Sequence, residues 1–140
     1  MQYLSRLLFG FDGRISRSDY WVAFVILQGI SLAGICAIEP NYFGGDATHP
    51  VALAVLALAL AIPEVAVCVK RFKDLEWPTW IACALVGAGT AASIAFDFTV
   101  DGSAANTALA FAVIALLLAE VIPCGFFKGV SPSGDAAFAS

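Results

Sequence analysis

Two carboxylates set in apolar sequence are the first candidates for chemistry: Glu64 in Ile62-Pro63-Glu64-Val65-Ala66 and Glu120 in Leu118-Ala119-Glu120-Val121-Ile122. A carboxylate at the centre of a membrane helix costs up to about 2.5–3.5 kcal/mol, and less toward the interface. A chain that keeps two of them therefore has either a use or an escape for each. Glu64 precedes Lys70 and Glu120 precedes Lys128 by similar intervals, so at 1.5 Å per residue both sit roughly 10 Å inside the same boundary. Facing each other, they could share a proton or bind a cation. The plainer alternative is that each reaches the inner interface or pairs with Lys70 or Arg71. Pro63 and Pro123 lie close by; each frees a carbonyl, that of Ala59 or Ala119, and bends its helix. The two segments also echo one another as Glu64-Val65-Ala66-Val67-Cys68 and Glu120-Val121-Ile122-Pro123-Cys124, a pattern open to duplication or to chance.

Other reactive types carry weaker signals. Arg14, Arg17, Lys70 and Arg71 form a basic collar. Such a collar orients the chain and attracts anionic head groups at about 1 kcal/mol per charge, or docks a partner. Asp19 and Asp74 are placed to pair with it. Cys68, Cys83 and Cys124 share a depth, with Cys36 near the other end of its run, but no Cys-x-x-Cys spacing supports a metal site. They read as small apolar filler. His49 lies with Asp46 in a polar loop and reads as solvated. No zinc-protease, nucleophile-elbow or phosphate-loop motif occurs. The expectation is a non-catalytic protein with no cofactor and no metal.

The elements that must hold these residues follow from composition. Of the 140 residues 61% are hydrophobic and 13% charged, and the mean hydropathy is +0.89. A soluble domain carries about 25% charged residues, so an ordinary cytosolic enzyme, a nucleic-acid binder and a disordered chain are excluded. Four apolar runs, over about 20–38, 51–69, 80–96 and 107–127, approach the roughly 20 residues that span a bilayer. In lipid the backbone must satisfy itself, which makes them helices. The prediction is an all-α integral membrane four-helix bundle, one polytopic domain over 1–140. A short N-terminal interfacial helix precedes it, its apolar face made of Tyr3, Leu4, Leu7, Leu8 and Phe11. Ser16 and Asp19 form a capping-box pattern at the start of the first span. Pro50 suits the first turn of the second.

All seven Lys and Arg precede the first run, separate the second from the third, or follow the fourth. With an even number of spans they fall on one side, so the positive-inside rule predicts an inner (plasma) membrane protein with both termini cytoplasmic. Trp21, Trp77 and Trp80 suit the aromatic belt on that side. Gly87 and Ala91, with Ala84, Ala88 and Ala92, make one face of the third helix small enough for close packing, within the bundle or against a partner.

Three motifs then resemble one family. Gly13-Arg14-Ile15-Ser16-Arg17-Ser18-Asp19-Tyr20-Trp21 is similar to the opening of the YhaH-like inner-membrane proteins (domain of unknown function 805). The middle loop Lys70-Arg71-Phe72-Lys73-Asp74, followed by Trp80, resembles that family's Arg-Arg-Leu-His-Asp element. The tail Phe127-Lys128-Gly129 with Gly134, Asp135 and Phe138 resembles its closing stretch. Lys73 stands where the family usually has histidine, Glu76 where glycine is common, and Ala136 and Ala139 where asparagine and glycine are common. The resemblance implies a small multi-helix bacterial membrane protein and no known activity. Two readings of function remain. One is an accessory or assembly partner of a membrane complex, bound to lipid head groups and to a membrane protein or a second copy. The other is a small transporter or proton-coupled channel using Glu64 and Glu120.

Overall fold

A computed structural model of the chain describes residues 7–11, 13–40, 42, 48–99 and 103–129. Four helices follow in order: α1 Arg17–Ile38, α2 Pro50–Asp74, α3 Thr79–Asp97 and α4 Ala104–Phe126. No strand occurs among the described residues. Local chemistry sets the helix starts. The Ser16 hydroxyl accepts from the Asp19 amide at 3.2 Å while the Ser16 amide donates to the Asp19 carboxylate at 3.4 Å, the expected capping box. Ser103 caps α4 by accepting from the Asn106 amide at 3.0 Å, and Pro50 opens α2. The two internal prolines, Pro63 and Pro123, are carried within continuous helices.

One boundary differs from expectation. Residues 70–74, predicted as a loop, are the last turn and more of α2. Cations there favour the negative end of the helix dipole, and their side chains find carbonyl partners on neighbouring segments, so charge does not end the helix. The stop comes at Glu76, which adopts a left-handed φ of +59° and lets the Trp77 amide return to the Phe72 carbonyl at 2.9 Å. That conformation normally falls to glycine.

Consecutive helices pack side by side, most extensively α2 with α3. Helices α1 and α4 close the ring chiefly at the end that carries the basic residues. There the Trp21 indole donates to the Gly125 carbonyl at 3.1 Å and lies edge-on to Phe126 at 5.7 Å. A Cβ added at Gly125 would stand 2.6 Å from the Trp21 ring, so this crossing needs glycine. The densest core (Tyr20, Ala23, Leu27, Val67, Cys68, Phe72, Ala82, Val86 and Cys124) occupies the same half of the bundle.

Large apolar side chains cover the outside: Val25, Val51 and Phe111 are 65%, 67% and 70% exposed. The four helices are 19 to 25 residues long with mean hydropathies of 1.6 to 2.5. Such a surface is stable in hydrocarbon and a liability in water. The chain is a multi-pass membrane protein.

The N-terminal segment is helical at residues 7–9. Leu7 is buried in the bundle core rather than spread on a membrane face, while Phe9 and Phe11 are exposed; Tyr3 and Leu4 lie outside the described residues. On α3, Ala82 and Val86 point inward, whereas Ala84, Gly87, Ala88 and Ala91 are exposed. The small face therefore does not serve this bundle's own packing.

Candidate functional site

Helices α2 and α4 run in the same direction and bring Glu64 and Glu120 to one place. Glu64 lies about 21 Å along α2 from Pro50 and about 15 Å from Asp74, near mid-helix. Both acids line a cavity of about 200 Å³ between the four helices. Gln28 and Ser31 of α1 and Thr90 and Ser93 of α3 complete its polar lining, against Leu27, Ala57, Leu60, Leu85, Val86 and Leu116. No lysine, arginine or histidine lines it. The Thr90 hydroxyl donates to the Val86 carbonyl at 2.8 Å, so toward the cavity it offers only lone pairs. Gln28 of α1 and Leu117 of α4 are exposed where they line it, which marks the side on which the cavity opens.

Glu120 is buried and Glu64 half-buried. The Cys68 thiol donates to Glu120 Oε1 at 2.9 Å, and Cys124 lies beside Cys68. The two echoing Glu-Val-x-x-Cys segments thus meet in space. Cys68 is a hydrogen-bond donor at the site, which corrects its reading as filler, while Cys36 and Cys83 are exposed. The donors gathered here are hard oxygens: two carboxylates, an amide and hydroxyls. They can hold water, a proton or a small cation, and nothing about them suits a soft metal.

The basic end is built oppositely. Lys70 and Arg71, expected on an exposed collar, are 2% and 1% exposed. Arg71 Nε donates to the Cys124 carbonyl at 2.7 Å, Nη2 to the Phe127 carbonyl at 2.5 Å and Nη1 to the Ile15 carbonyl at 3.4 Å and to the Asp74 carboxylate. Lys70 donates to the Leu7 carbonyl and Lys73 to the Phe11 carbonyl. A side chain at Gly129 would run into the Asp74–Arg71 pair. The described parts of the three sequence motifs therefore meet in one cluster, with Arg71 at its centre; Gly134, Asp135 and Phe138 lie outside the described residues. The collar is corrected accordingly: of its four cations Arg14 and Arg17 are exposed, as is Lys128 after α4, and Arg14 meets Glu76 at 4.0 Å on the surface. Asp74 pairs with Arg71, and the Asp19 carboxylate bonds the Ser16 amide and hydroxyl. Arg71 makes no ion pair with either intramembrane glutamate.

Of the tryptophans, Trp80 is 69% exposed as an interface anchor would be. Trp21 is built into the α1–α4 crossing, and Trp77 stands between Phe72 and Phe127 at 5.7 Å from each. At the opposite end Glu39 accepts from the Thr48 hydroxyl at 2.6 Å, the Thr48 amide at 2.9 Å, and the His49 amide and ring at 3.1 and 3.2 Å. The Thr48 hydroxyl, ahead of the other donors, holds the Glu39 carboxyl below the usual carboxylate range. His49 is therefore a partner of Glu39; Asp46 lies outside the described residues.

Tyr20, Gln28, Ser31, Thr90 and Ser93 escape a reading of the sequence alone, because one hydroxyl or amide barely dents an apolar run. A signal exists nonetheless: Gln28 with Ser31 and Thr90 with Ser93 are each spaced to share a helix face.

Residues 8–131 match a family profile described as a protein of unknown function, DUF805. No curated protein and no solved structure matches the chain.

Proposed function

The chain belongs to the DUF805 family, and we propose that it is a small proton-coupled transporter or channel working through Glu64 and Glu120. The observation that carries this reading is the shared cavity: two carboxylates within the spanning helices, lined by hydroxyls and an amide, with no basic side chain to neutralise them. Among the described residues neither acid forms an ion pair. A buried carboxylate in that position is neutral only when it holds a proton or a cation, so its charge state is coupled to what the cavity takes up. This is chemistry of binding and movement, with no catalytic set and no cofactor assigned. The concentration of basic residues at one end supports an inner-membrane location with that end, and both termini, in the cytoplasm. Arg14, Arg17 and Lys128 are placed to meet anionic head groups there.

The test is proton movement. The purified chain is reconstituted into vesicles loaded with a pH-sensitive dye, and a potassium diffusion potential is imposed. Wild-type vesicles acidify; vesicles carrying Glu64→Gln with Glu120→Gln behave as empty ones. Equal acidification by wild type and the double variant overturns the proposal.

A second reading rests on α3. Its small-residue face, Ala84, Gly87, Ala88 and Ala91, is exposed and fits the close approach of another helix, as an accessory subunit or a second copy would require. Mild extraction followed by native mass measurement yields a larger assembly on this reading, and a lone chain against it.

A further inference from the structure

On the basic-end side of the main cavity lies a second pocket of about 10 Å³, bounded by Tyr20, Gln28, Glu64, Cys68 and Glu120 with apolar neighbours. That is about the volume of one water-sized particle. Tyr20 is 1% exposed, and its hydroxyl is the buried side-chain polar atom with no hydrogen-bond partner among the described residues. Buried polar groups are nearly always satisfied, and an orphan costs about 1–3 kcal/mol. The orphan faces two acids, one of which already accepts from Cys68 through Oε1. The cations of the next turn are turned away: Arg71 is saturated by carbonyls and Asp74, and Lys70 reaches the Leu7 carbonyl. Negative charge without a protein counter-charge, hard oxygen donors and room for one particle occur together.

We propose that this pocket binds one dehydrated monovalent cation of about the size of sodium, held by Glu64, Glu120 and the Tyr20 oxygen. The proposal rests on the transport reading and names the ion coupled to it. A phenol can give its lone pair to a cation and its proton to a carboxylate at once, which satisfies the Tyr20 orphan in both directions. A divalent ion wants about six to eight oxygens; the two carboxylates, phenol and amide would reach about six only with every oxygen turned inward, and Glu120 Oε1 already accepts from Cys68. A soft metal finds one thiol in the lining, Cys68, and its sulfur is engaged as a donor to Glu120. Protons compete for the same carboxylates, so binding weakens as pH falls. The groups facing the site from the packed helices are Glu64, Glu120, Tyr20 and Cys68, with Cys124 beside them.

The experiment is thermal unfolding of the full chain in lipid nanodiscs, followed by tryptophan fluorescence. Sodium chloride is exchanged at constant ionic strength for the salt of N-methylglucamine, a cation too large for the pocket. Sodium raises the wild-type midpoint saturably. Tyr20→Phe keeps the ring and loses the ligand, so half-saturation needs about tenfold more sodium, the worth of one bond to a charged group. In N-methylglucamine the same variant is at least as stable as wild type, because the orphan is gone; a purely structural hydroxyl predicts the reverse. Glu120→Gln abolishes the sodium response, and should it fail to fold, Tyr20→Phe decides alone. A wild-type midpoint identical in the two salts, or an unchanged sodium response in Tyr20→Phe, overturns the site. Acidification of vesicles without sodium stabilisation removes the ion and leaves the transport reading. Sodium stabilisation without acidification does the converse.

Discussion

Two regions of this molecule bury charge, and they treat it oppositely. At the basic end Arg71 is enclosed by three backbone carbonyls and the Asp74 carboxylate. Between the spanning helices Glu64 and Glu120 line a cavity with hydroxyls and an amide but no basic side chain. A buried charge whose every hydrogen-bonding position is filled is held in one state, and it costs more to remove one partner than the pair ever contributed. A buried charge facing a cavity retains two states, charged or neutralised by something from outside. Saturation marks the structural cluster and its absence marks the site we propose to be functional, although in the sequence both look like isolated charges beside apolar residues.

The largest expected effect breaks this contrast at its saturated member. Arg71→Met leaves Asp74 and the carbonyls of Ile15, Cys124 and Phe127 without their donor. The loss expected on removing one partner of a buried pair is about 3–5 kcal/mol, seen as failure to accumulate or as a collapsed midpoint in nanodiscs. Glu64→Gln, by contrast, keeps shape and polarity in a cavity that already admits hydrogen-bonding groups, and the folded population should stay close to wild type. If the two variants proved equally destabilised, saturation would not separate the sites.

The next effect concerns the crossing that closes the ring between the two regions. Gly125→Ala pushes a methyl group into the Trp21 ring, where a Cβ has only 2.6 Å. The indole must tilt and lose its bond to the Gly125 carbonyl, for a loss of about 1–3 kcal/mol by overpacking. Trp21→Phe in the same background makes room and should recover part of it. Additive losses in the double variant would show that the clash is not the cause.

What the sequence discloses here follows from how strongly each feature departs from its surroundings. The four spans and the two acids are legible, because a long apolar run and a carboxylate within it are both extreme. The burial of Lys70 and Arg71 is not, since a pair of cations after an apolar run ordinarily means a loop. Their partners are carbonyls of Leu7, Ile15, Cys124 and Phe127, groups that every residue has and no sequence pattern advertises. Cys68 and Tyr20 pass as members of the apolar face for a similar reason. Only the meeting of α1, α2 and α4 shows that a thiol and a phenol are turned toward the acids.

Glu76 sharpens the structural side by a smaller amount. Its φ of +59° costs a residue with a Cβ roughly 1–2 kcal/mol, and its side chain returns little through an exposed contact with Arg14 at 4.0 Å. Glu76→Gly should therefore stabilise by about 0.5–1 kcal/mol, with proton movement unchanged. A destabilised Glu76→Gly would mean that the Arg14 contact outweighs the backbone.

The smallest effect lies at Glu39, a carboxylate at the end of the molecule opposite the Arg71 cluster and partnered as fully as the intramembrane acids are not. Donation from the Thr48 hydroxyl, followed by His49 and the two backbone amides, keeps its carboxyl below the ordinary range. A group whose folded-state value is depressed adds stability that is complete above the ordinary carboxylate value, near about pH 4, and is lost as pH falls through the folded value. The contacts of Glu39 with Thr48 and His49 should accordingly hold at neutral pH and loosen only in stronger acid. The Thr48 and His49 amide resonances, followed through an acid titration in detergent, report the midpoint directly. Thr48→Val keeps the side-chain shape and removes the hydroxyl donor, so the midpoint moves up toward that of a free glutamate. A midpoint already in the ordinary range for wild type, or one indifferent to Thr48→Val, would mean that these donors do not govern Glu39. The contrast between partnered and unpartnered carboxylates would then have to stand on the membrane interior alone.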